Sequence, residues 1–82
     1  MTSKEKRLQA IRENPRGVSD RELIGVLMSY DFKVRRAKGS HTVVTHPDLP
    51  GFRLTVPRSR RLQRAWVISA LNAIDQILEG DK

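Results

Sequence analysis

Apolar residues fall along this chain in two different rhythms, and the change from one to the other divides it into elements. From Ser19 the stretch SDRELIGVLMSYDF places Leu23, Ile24, Leu27 and Tyr30 at i, i+1, i+4 and i+7, the stripe of a helix packed by one face. Ser19 with Glu22 three residues later forms a capping box for its start, each side chain meeting a backbone N–H that the first turn leaves unpaired. Gly25 sits inside this helix, off the stripe, at a cost of about 1 kcal/mol relative to alanine. From Phe32 the period shortens to two. FKVRRAK alternates Phe32 and Val34 with Lys33 and Arg35, Gly39-Ser40 offers a turn, and HTVVTH follows as a second extended run. PDLPG reads as a loop. In FRLTV, Phe52, Leu54 and Val56 share one face, and Pro57 ends the strand.

The segment AWVISALNAIDQILEG returns to helical spacing, with Val67, Leu71, Ile74 and Leu78 at i, i+4, i+7 and i+11 and Gly80 as the residue past its end. At the other end of the chain, Lys4 to Asn14 has weaker helical spacing carried by Leu8 and Ile11, stopped by Pro15-Arg16-Gly17. The expected order is helix, helix, strand, strand, strand, helix. That makes an α+β fold with a three-stranded antiparallel sheet packed on helices. Eighty-two residues suffice for one small domain, 1–82, in which 1–17 is an appended helix and turn and 18–80 the core. No repeat or low-complexity stretch interrupts it.

Composition narrows the chemistry. With no cysteine, neither disulfides nor a thiolate zinc site can staple the fold. The charged N-terminal segment lacks the apolar core of a signal peptide, and no run reaches the roughly 18 apolar residues of a membrane span, so a cytoplasmic protein without membrane association is expected.

The net charge of +7 is unevenly placed. Residues 1–31 contribute +1 and residues 65–82 contribute −2. Residues 32–64 contribute +8, from Lys33, Arg35, Arg36, Lys38, Arg53, Arg58, Arg60, Arg61 and Arg64 against Asp48 alone. A face made only for solubility mixes its signs; clustering of one sign suits a polyanion. Arg58, Arg60, Arg61 and Arg64 precede the last helix, where the macrodipole favours acids, so their placement suggests an external anion such as a nucleic-acid backbone. Arginines lying over apolar surface, and a solvated charged face on the first strand, are the alternatives. The aromatic residues read mostly as core, which argues against a base-stacking platform and for recognition of phosphate and shape.

His41 and His46 are five positions apart, an odd number that puts them on opposite faces of a regular strand. His46, before Pro47, reads as a turn or surface residue. His41, after Gly39-Ser40 and beside the basic field, could remove the proton from an RNA 2′-hydroxyl so that this oxygen attacks the adjacent phosphate; a structural or merely exposed histidine is the other reading. There is no Gly-rich phosphate loop, no G-x-S-x-G and no carboxylate cluster in the basic region, so metal-dependent nuclease chemistry is not expected and neither a metal nor a cofactor is called for.

The run LIGVLMSYDFKVRRAKGSHTVVTHPDLPGFRLTVPR, with the basic stretch and apolar helix after it, resembles the HicA family of bacterial toxins over residues 19 to 78. The ordered pieces GSH, HP and TVPR carry the likeness. The resemblance implies a fold similar to the double-stranded RNA-binding domain, α-β-β-β-α, here with an extra N-terminal helix. It implies a metal-independent endoribonuclease that cleaves mRNA, an interferase neutralised by a cognate HicB antitoxin protein. It carries the catalytic role onto His41 through Gly39-Ser40-His41. Together with the charge clustering, the expected RNA-binding set is Lys33, Arg35, Arg36, Lys38, Ser40, Arg58, Arg60, Arg61 and Arg64. Thr42 and Ser59 stand where the family often has further histidines, and Asp31 where it often has glycine. A non-catalytic RNA-binding module on the same fold is the alternative function.

Overall fold

The computed structural model describes residues 2–37, 39 and 41–80 and runs α1 (Ser3–Glu13), α2 (Asp20–Ser29), β1 (Lys33–Arg36), β2 (Thr42–Thr45), β3 (Leu54–Val56) and α3 (Arg64–Gly80). The α+β architecture and the order of helices and strands are those expected from the two hydrophobic rhythms. The candidate residues Lys38 and Ser40 lie outside the described residues.

Each end of α2 is written in its sequence. The capping box forms in full, Ser19 Oγ accepting from the Glu22 amide and the Glu22 carboxylate accepting from the Ser19 amide. At the other end Asp31 has a φ of 70°, the Phe32 amide donates to the Leu27 carbonyl and the Asp31 amide to that of Met28. These two bonds make a Schellman motif with aspartate in the left-handed position that usually takes glycine. Between the ends, the buried set is Leu23, Val26, Leu27 and Tyr30. Val26 replaces the expected Ile24, which is only half-buried. The reason is that α2 contacts both α1 and α3, so its buried arc is the broad i, i+3, i+4, i+7 face.

α1 reaches the core through Leu8 and Ile11. It is tied to α3 by the guanidinium of Arg12, which donates to both oxygens of Asp75, and this hydrogen-bonded pairing raises the Arg12 pKa. Lys4 Nζ lies 4.7 Å from the centre of the Tyr30 ring. Burial, more than any neighbouring charge, pushes the Tyr30 hydroxyl above its ordinary value near 10.

The sheet has the order β1-β2-β3 and is antiparallel throughout, with Val34 opposite Val44 and Val44 opposite Leu54. That row, with Val56, belongs to or packs on the core shared with the helices. Lys33, Arg35, Thr45 and Thr55 alternate onto the other face, around a buried Val43. β3 begins at Leu54, two residues later than its alternation predicts. The Phe52 amide donates to the Leu49 carbonyl in a turn, which draws Phe52 out of the ladder and sets its ring edge-on to Phe32 at 5.9 Å.

Two expectations for α3 are corrected. Leu78 is 39% exposed, because the buried arc is centred on Ala70, Ile74 and Ile77 and turns away from it. Gly80 is the last helical residue and not the one after the helix. No helix among the described residues is long and apolar enough to cross a membrane.

Candidate active site

β1 and β2 form a hairpin whose last register pair is Arg36 with Thr42, closed by the Ala37 amide donating to the His41 carbonyl at 3.0 Å. Gly39, in the three-residue connection, has a φ of 76°, and a Cβ built on it would meet nothing within 4 Å. Its need for glycine is therefore conformational, since the left-handed region disfavours a side chain even in open space. The turn delivers His41 at the start of β2, with its side chain exposed.

Two further stretches close around this hairpin end. Thr42 is also paired with Val56 of β3, so Pro57 and Arg58 leave the sheet next to it. The Asp20 amide donates to the Ser59 carbonyl (2.9 Å) and the Leu62 amide to the Val18 carbonyl (2.7 Å). These bonds fasten the first turn of α2 to the connection between β3 and α3. The result is a cleft of about 520 Å³ lined by Asp20, Arg21, Arg36, Gly39, His41, Thr42 and Arg58. The lining thus holds three arginines and one aspartate beside His41. A larger hollow of about 670 Å³ lies between α1 and α2. It shares Arg21 with the cleft but is lined by no group that titrates near neutrality, so the smaller cleft is the better place for proton transfer.

Of the residues singled out in the sequence, His41, Arg36 and Arg58 come together in this cleft. Lys33 and Arg35 are exposed on the opposite face of the sheet. Arg60 and Arg61 are exposed in the connection and Arg64 opens α3, none of them lining the cleft. Asp20 and Arg21 are the cleft residues that sequence reasoning missed. Asp20–Arg21 reads there only as the first turn of a capped helix, and its pairing with residues some forty positions downstream leaves no local signal.

His46 is not the turn or surface residue expected before Pro47. It is 7% exposed, its Nδ1 accepts from the Asp48 amide (3.0 Å) and its Nε2 donates to the Tyr30 carbonyl (3.2 Å). Its ring stands edge-on to Phe32 at 4.6 Å. The cause is the end of β2: its parity sends His46 to the core side of the sheet, where two backbone groups use both nitrogens. Ser59 Oγ accepts from the Arg61 amide and caps the turn after Arg58. Among the described residues, no three His, Cys, Asp or Glu side chains are grouped so as to hold a metal ion.

Among known proteins, the family model described as the HicA toxin of bacterial toxin-antitoxin matches residues 21–74. No curated protein and no solved structure gives a match. The matched stretch is well over half of the chain; it holds the whole sheet and every residue lining the cleft except Asp20. The chain belongs to the HicA toxin family of bacterial toxin–antitoxin systems.

Proposed function

We propose that this toxin is an endoribonuclease that cleaves mRNA with His41 as its general acid/base. Family membership brings with it a cognate antitoxin as protein partner. The observation that carries the proposal is the convergence of His41 with Arg36 and Arg58, from three separate stretches of chain, in one cleft. An imidazole nitrogen of His41 takes the proton of a ribose 2′-hydroxyl. The 2′-oxygen then attacks the neighbouring phosphorus, the bond from phosphorus to the 5′-oxygen breaks, and a 2′,3′-cyclic phosphate and a 5′-hydroxyl end result. Arg36 and Arg58 supply donors and charge for the non-bridging oxygens, where negative charge grows in the transition state. Lys33, Arg35, Arg60, Arg61 and Arg64, exposed outside the cleft, are further candidates to hold the RNA backbone, as are Lys38 and Ser40, which lie outside the described residues. The leaving 5′-oxygen needs a proton. Among the described residues lining the cleft there is no second imidazole, and arginine does not give up its proton near neutrality. The imidazolium formed at His41, a lysine or water can supply it. The scheme requires no metal.

That single imidazole is also what favours the second reading, an RNA-binding module without catalysis, since Thr42 and Ser59 occupy positions where the family resemblance leads one to expect histidines. Induced expression of the wild type beside His41→Ala separates the two. Cleavage predicts growth arrest and fragmented mRNA with the wild type and neither with the variant. Intact mRNA under the wild type contradicts the endoribonuclease, and equal arrest by both proteins contradicts the role of His41.

A further inference from the structure

We infer that Asp20 is a specificity residue: its carboxylate takes the Watson–Crick edge of an unpaired guanine lodged in the cleft beside His41. The inference rests on the RNA-cleaving reading of the cleft and adds the base that it selects.

Asp20 adds an acid to the first turn of α2, but the capping box itself is complete with Ser19 and Glu22. Its backbone is fixed by the bond to the Ser59 carbonyl, and the residue is half-buried in the wall of the cleft. Arg21, Arg36 and Arg58 line the same cleft, yet the ion pair found among the described residues is Arg12 with Asp75, elsewhere in the molecule. Among the described residues the Asp20 carboxylate has no hydrogen-bond or ion-pair partner, in a cleft whose other charged lining residues are arginines.

A phosphate held by Arg36 and Arg58 is repelled by Asp20, so a bound nucleotide turns another of its groups toward it. An ionised carboxylate only accepts, and therefore calls for donors. Guanine presents two adjacent donors, N1–H and the N2 amino group, at the spacing of the two carboxylate oxygens. Adenine and cytosine each set one amino donor beside a ring nitrogen that repels the second oxygen. Uracil has a single N3–H between two carbonyls. Bases of single-stranded RNA are read at these edges, and a good bidentate pair discriminates by about 1–3 kcal/mol, or roughly 5- to 150-fold.

Sequencing the ends that purified protein produces from randomised single-stranded RNA tests this. The wild type is expected to cut next to guanosine about tenfold or more above the other bases. Asp20→Asn, whose amide offers one acceptor and one donor, is expected to lose that enrichment while still cutting. Replacing the preferred guanosine by inosine removes the N2 amino group and should slow the wild type about tenfold but leave Asp20→Asn unchanged. The inosine comparison on unaltered protein decides even where Asp20→Asn folds poorly. Undiminished guanosine preference in Asp20→Asn, or no preference in the wild type, overturns the inference. Absence of any cutting contradicts the endoribonuclease itself. Binding of guanosine- and inosine-containing oligonucleotides to His41→Ala protein then still decides the role of Asp20, equal affinities overturning it.

Discussion

His41 and His46 stand five residues apart in one strand-forming run and end in opposite surroundings. His41 precedes β2 and is exposed in an arginine-lined cleft; His46 follows β2 with both nitrogens bound to backbone groups under the sheet. The two variants should therefore fail differently. His46→Ala strands the Tyr30 carbonyl and the Asp48 amide, and we expect a loss of about 1–3 kcal/mol of stability. The denaturant midpoint would fall at unchanged slope, with RNA cleavage per folded molecule preserved. An undiminished midpoint would contradict the structural role. The odd spacing made it legible in the sequence that the two rings part to different surroundings. That His46 is a core residue was not legible, because its hydrogen-bond partner, Tyr30, lies sixteen positions earlier.

At the scale of elements, α2 shows how local chemistry sets boundaries and tertiary contact sets faces. Its capping box is where short-range pattern puts it and Asp31 takes the left-handed position after the helix, whereas its buried arc shifts from Ile24 to Val26 because α1 and α3 both cover it. Two substitutions should each stabilise the helix without touching the cleft lining. A Cβ on Gly25 meets nothing within 4 Å, so Gly25→Ala is expected to gain about 0.5–1 kcal/mol. Asp31→Gly relieves the left-handed residue by about 1 kcal/mol. For a chain of this size each kcal/mol raises the melting temperature by about 4–8 °C. A lower melting temperature for Asp31→Gly would contradict the Schellman assignment. The strands were readable from alternation and the turn residues around them. The late start of β3 was not, since the turn that captures Phe52 competes with an alternation that includes it.

Across the whole molecule, the basic excess of residues 32–64 divides between the cleft, the far face of the sheet and the connection into α3. Charge counting pointed to a polyanion partner, but it could not sort these arginines, because the pairing of Thr42 with Val56 and the bonds of Val18–Asp20 to Ser59–Leu62 bring Arg58 and Arg21 beside the hairpin. RNA affinity should fall steeply with salt, and Arg36→Ala and Arg58→Ala should each lower the logarithmic salt slope by about 0.7, one phosphate contact on a single strand. Unchanged slopes would place the backbone outside the cleft. The central claim is tested most directly by incubating purified wild type and His41→Ala with single-stranded RNA in the presence of a metal chelator. The wild type should yield 2′,3′-cyclic phosphate and 5′-hydroxyl ends, and the folded variant should be about 10²–10⁴-fold slower. Undiminished cleavage by His41→Ala, or cleavage only on addition of a divalent metal, would contradict it.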